Sequence, residues 1–105
     1  MKEYTKVLKL SLQSRFPNVK FSVKLYPCFN YALSSDRIEI KYKAGEVDKE
    51  ELMDYLRAKT DNITITDHYG AYTKKIGSEE GAIFNPKEQV WVDADMVEFI
   101  VVKEL

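Results

Sequence analysis

Residues 19 to 25 alternate without a break: Val19, Phe21, Val23 and Leu25 are apolar, and Lys20, Ser22 and Lys24 between them are polar. Successive side chains of a strand point to opposite faces, so this segment has one face for a core and one for water. A one-sided strand is not stable alone; it needs partner strands and a second layer to bury its apolar face. The pattern recurs from Arg37 to Lys43, with Ile38, Ile40 and Tyr42 inward and Arg37, Glu39, Lys41 and Lys43 outward. The two segments are expected to pair antiparallel. The connection from Tyr26 to Ser35 is aromatic-rich and contains Pro27.

Two segments have helical spacing and supply the second layer. Tyr4, Val7, Leu8 and Leu12 form one apolar stripe, which predicts a helix over 2–14 with Leu10 at its margin. Phe16-Pro17-Asn18 ends it, because the residue before proline disfavours the α region. The second helix is predicted over 49–59. Asp48 is its N-cap, Glu51 completes a capping-box pattern, and Val47 is placed to staple against Leu52. Leu52, Tyr55 and Leu56 form its buried stripe, and Glu50 and Glu51 suit the positive end of its dipole.

Downstream, Asn62 to Thr66 is a short β-branched strand, and Asp67 to Gly81 reads as a loop punctuated by Gly70, Gly77 and Gly81. Ala82 to Phe84 and Gln89 to Val92 flank Asn85-Pro86-Lys87-Glu88, a type I turn signal, and predict a hairpin. Met96 to Lys103 is nearly continuous in apolar residues and reads as a buried strand. The order is α-β-β-α-β-β-β-β. The expected class is α+β: a two-layer sandwich in which a mostly antiparallel sheet carries two helices on one face. The 105 residues form a single domain, long enough to hold a core without disulfides.

Composition narrows the functional classes. A chain that is 45% apolar and 31% charged is neither a disordered tail nor a low-complexity segment. No stretch approaches the roughly 18 uninterrupted apolar residues of a membrane span. No apolar signal core follows the first residues, and Cys28 is the single cysteine, so a reducing, cytoplasmic setting is expected. With one histidine, His68, beside one cysteine, zinc lacks its usual four N or S ligands, and no nucleophile signature surrounds either residue. Asp93, Asp95 and Glu98 lack the glycine and ligand periodicity of a calcium loop and read as a solvated turn. No phosphate-cradling glycine motif occurs. Neither a catalytic residue, a metal site nor a cofactor is therefore assigned.

Charge is uneven along the chain. Residues 1–43 hold nine basic and three acidic residues, and residues 44–105 seven basic and fourteen acidic. Two surfaces follow. The first is the outward face of the strand pair, with Lys20, Lys24, Arg37, Lys41 and Lys43 bordered by Tyr26, Phe29 and Tyr31. It is suited to phosphates and stacked bases if it meets solvent, or is a solvated face that discourages edge pairing. The second is the acidic run of Glu46, Asp48, Glu50, Glu51 and Asp54 on the second helix. It is suited to a basic partner, or serves capping and solubility. Tyr69 and Tyr72 in the later loop fit interface anchors or core lids equally.

The string Phe16-Pro17-Asn18-Val19-Lys20-Phe21-Ser22-Val23-Lys24 resembles a motif of a large polyvalent protein-associated domain family. Arg37 to Tyr42, Ala44-Gly45-Glu46-Val47 and Lys49-Glu50-Glu51-Leu52 continue the likeness, which covers about residues 5–58. Members favour a tryptophan in the second strand and a Gly-Pro-Thr turn, where this chain has Tyr42 and Ala44-Gly45-Glu46. The resemblance implies a phage, plasmid or conjugative-element origin. It also implies a small non-enzymatic binding module that inhibits or modulates a host defence protein, such as a restriction or CRISPR nuclease, by protein–protein contact. Glu46, Glu50, Glu51 and Asp54 are the expected contact residues. The alternative is a nucleic-acid-binding domain using the basic sheet face.

Overall fold

The computed structural model describes residues 2–26, 36–68, 81–94 and 97–105. The elements are α1 (Glu3–Arg15), β1 (Ser22–Tyr26), β2 (Asp36–Tyr42), α2 (Lys49–Ala58), β3 (Thr60–Asp61), β4 (Thr64–Thr66), β5 (Ala82–Asn85), β6 (Val90–Asp93) and β7 (Val97–Glu104). The class is α+β. The expected sheet, however, is divided in two: four strands in the order β1-β2-β7-β4, and three in the order β3-β5-β6. Three of the five pairings among the described strands are antiparallel; β7 runs parallel to both β2 and β4.

Each helix forms for the reason its sequence suggests. The α1 stripe Tyr4, Val7, Leu8 and Leu12 is buried, joined by Thr5 and Ser11. Asp48 caps α2 by accepting from the Glu51 backbone N–H at 3.1 Å. Glu51 does not complete the box; its carboxylate takes the Arg15 guanidinium at 2.8 Å instead and ties α2 to α1. Small Ser11 lets Tyr55 approach α1, where the two hydroxyls lie 2.8 Å apart, and the Tyr55 ring meets Phe16 edge-on at 5.6 Å.

The predicted 62–66 strand is the clearest departure. Asn62 takes a left-handed φ of 55°, a conformation open to asparagine at low cost, and it breaks the segment. Residues on either side then join different sheets: β3 pairs with β5, and β4 with β7. The predicted hairpin forms, with its connection shifted to residues 86–89. Asn85 Oδ1 accepts from the N–H groups of Lys87 and Glu88 at 2.9 and 3.1 Å.

One core joins these parts. Val23, Ile38, Ile40, Tyr42, Ile65, Ile100 and Val102 line one face of the four-stranded sheet and cluster with Leu8, Leu12, Leu52 and Leu56 of the helices. Ile83 and the partly buried Val92 close the core from the small sheet. Gly81 stands where β5 starts because a Cβ there would meet Ile63 Cγ1 at 2.9 Å and the carbonyls of Ala94 and Val97 at 3.1 Å.

Candidate functional site

The outward face of the four-stranded sheet is built from β1 (Ser22, Lys24, Tyr26), β2 (Arg37, Glu39, Lys41), β7 (Phe99, Val101, Lys103) and β4 (Thr64, Thr66), which the register sets side by side. The expectation that this face meets solvent is corrected at its centre. Glu39 is 3% exposed, and Val101 and Thr66 are buried as well. A carboxylate withdrawn from water needs paired cations. Glu39 has them: Arg37 Nε at 3.0 Å and Lys103 Nζ at 3.2 Å. Arg37 also lies over the Tyr26 ring, 4.8 Å from its centroid. Arg37 and Tyr26 are thus engaged within the sheet, with each other and, for Arg37, with Glu39. Phe29 and Tyr31 lie outside the described residues, as do Cys28, Tyr69, Tyr72 and Asp95.

The remaining lysines behave differently. Lys20, Lys24 and Lys43 are exposed and Lys41 is half-buried. None of the four makes an ion pair with the described residues. Two open grooves meet at Lys20 and Phe21. One, of about 400 Å³, is lined by Lys9, Gln13, Pro17, Val19, Lys20 and Phe21. The other, of about 350 Å³, is lined by Lys20, Phe21, Ser22, Lys41, Tyr42, Lys43, Glu46 and Leu105. The two adjoining grooves, taken together as one trough, have Lys9, Lys20, Lys41 and Lys43 on their walls and Glu46 as the one carboxylate side chain among the lining residues. Lys20 and Lys43 lie just beyond the last paired residues of β1 and β2, Ser22 and Lys41, and line the same groove. Like charges gathered on one concave surface repel, so this cluster gains nothing for stability.

The acidic surface of α2 is largely engaged by its own surroundings. Glu51 holds Arg15, Asp54 accepts from Arg57 at 2.9 Å, and Asp48 caps the helix. Lys49 reaches out to Asp67 at 2.9 Å. Of the expected contact residues, Glu46 and Glu50 make none of these bonds, and Glu46 sits beside the lysine trough rather than on the helix.

The Asp67 carboxyl is held low by its neighbours. The His68 ring nitrogen at 3.0 Å and then the Lys49 ammonium hold its carboxyl down, from 3.8 to about 2. A carboxyl with a folded value below its unfolded one adds stability that is full above pH ~4 and is lost as pH falls toward 2. Urea denaturation across that window is expected to give a shallower acid limb for Asp67→Asn than for the parent chain. An identical slope would mean that the pair forms no stable contact in solution. His68 itself is exposed.

Sequence reasoning missed one group of residues. Trp91 on β6 is 51% exposed, stacks edge-on with Phe84 at 5.3 Å, and shares its sheet face with Asp61 and Asp93. The available signal was the hairpin itself: with Ile83 inward, period 2 places Phe84 and Trp91 outward. No described helix is long and apolar enough to cross a membrane. Set against protein-family models, curated proteins and solved structures, the chain matches none.

Proposed function

We propose that this chain is a small non-enzymatic binding module of mobile-element type that engages nucleic acid through the trough lined by Lys9, Lys20, Lys41 and Lys43. The observation that carries this reading is the clustering of unpaired lysines around a concave surface, where they repel one another unless an anion sits among them. Elsewhere on the same sheet, Arg37 and Lys103 are matched to the buried Glu39. Lysine is a point-charge donor, suited to backbone phosphates without sequence readout. The likeness of residues 5–58 bears on the mobile-element part of this reading and not on the choice of nucleic acid as the partner. Inhibition of a host defence nuclease by way of the α2 acids is the weaker proposal, since only Glu46 and Glu50 keep carboxylates that no described cation pairs.

Salt dependence tests it. Anisotropy of a labelled oligonucleotide is expected to show affinity falling about 50-fold between 50 and 200 mM salt, as for three to four phosphate contacts. Little difference between unrelated sequences is expected. Absence of binding at the lowest salt, or binding that ignores salt, would remove the proposal.

A further inference from the structure

The three-stranded sheet carries a second surface that shares no residue with the lysine trough. Its outward face is read from the register. Asp61, Ala82 and Asp93 form one cross-strand row, and Phe84 and Trp91 form the next. Lys59, at the start of β3, completes the second row, with its ammonium 4.9 Å from the Phe84 centroid. Small Ala82 therefore leaves a notch flanked by two carboxylates on adjoining strands. Both Asp61 and Asp93 are exposed, and neither pairs with a described cation. One step along β6 from the notch stands the half-exposed Trp91, and Asp93 and Trp91 lie on the same side of that strand. Among the described strands β6 pairs only with β5, and no described strand lies along its outer edge.

These features select one kind of occupant. A large exposed aromatic ring is an anchor for a partner, and tryptophan is the ring that best attracts a cation. Carboxylates beside it repel phosphates and favour a cation. A planar guanidinium both stacks on an indole and donates two parallel N–H bonds to one carboxylate, a fork that an ammonium does not offer. The outer edge of β6 accepts an extended segment by strand addition, with every second side chain of that segment on the Trp91 face. We infer that β6, with Trp91, Asp93 and Asp61, is the docking site for an extended, arginine-bearing segment of a basic protein. The site stands apart from the nucleic-acid reading and would give the module a protein partner as well.

Trp91 is the single tryptophan of the chain, so its emission reports on this site alone. The probe is an eight-residue peptide alternating arginine and threonine, compared with versions carrying lysine or glutamine in place of arginine. Titration into the full chain is expected to shift Trp91 emission saturably with the arginine peptide, about tenfold more weakly with lysine, and not with glutamine. The Asp61→Asn/Asp93→Asn double variant is expected to lose at least tenfold in peptide affinity while keeping its oligonucleotide affinity. Amide shifts in two-dimensional NMR spectra provide a readout that does not depend on the fluorophore and confirm that the variant is folded. Equal response to the glutamine peptide, or affinity unchanged in the folded double variant, would overturn the inference. So would silence of both emission and β6 amide shifts at millimolar arginine peptide.

Discussion

A variant with Lys20, Lys41 and Lys43 all changed to glutamine is expected to lose nucleic-acid binding by at least a hundredfold, yet to fold as well as the parent chain or slightly better. Both effects have one cause. These three side chains line the trough without a matching acid apart from Glu46. If each makes one phosphate contact worth about 1.5 kcal/mol, losing three weakens binding by roughly three orders of magnitude. Removing like charges gathered on one groove relieves repulsion, so urea denaturation should show unchanged or raised stability. Lys24 is left in place as an exposed, unpaired lysine that lines neither groove; its own replacement is expected to change affinity much less. Full binding by the folded triple variant would show that the trough is not the site.

The largest expected effect on stability is at Ile100. This residue is fully buried on β7, where the register sets it between Ile38 of β2 and Ile65 of β4. Ile100→Ala removes three carbons from a position held by strands on both sides, so the surroundings have little room to close the cavity. Loss of about 3–4 kcal/mol is expected, against a total of roughly 5–15 kcal/mol for a domain, with a fall in melting temperature of roughly 15–25 °C. Ile100→Val is expected to cost only about 1 kcal/mol. Chemical denaturation of the two variants checks the ratio; equal, small losses would mean that β7 is not packed as described.

Much of this architecture was legible because it rests on local rules. The α1 stripe, the Asp48 cap, the alternation of β1 and β2 and the Asn85-Pro86 turn each depend on residues a few positions apart. What was not legible depends on partners distant in the chain. The run from Met96 to Lys103 reads as a buried strand from its sequence, but its place between β2 and β4 does not. A strand apolar on both faces is the mark of a central, parallel position. Here Ile100 and Val102 face the helices while Val101 is buried on the opposite side. Glu39 was assigned to a solvated face by alternation alone. One of its two cation partners, Lys103, comes from β7, which no local pattern links to it. The lysine trough was half visible: Lys20, Lys41 and Lys43 were listed, but Lys9 comes from α1, and only the packing of α1 beside β1 adds it.

The position of β7 also bears on how the chain is made. It is the last described strand in the sequence and stands inside the four-stranded sheet, so β2 and β4 have no common neighbour until residues 97–104 are present. During synthesis the ribosome releases β1, β2 and α2 well before the strand that joins them to β4. The nascent chain therefore carries two strands, β2 and β4, without their shared partner until elongation has passed that point, and the closing contacts span long sequence distances. For this protein the interval before β7 emerges is the period of greatest exposure to chaperones, proteases and aggregation.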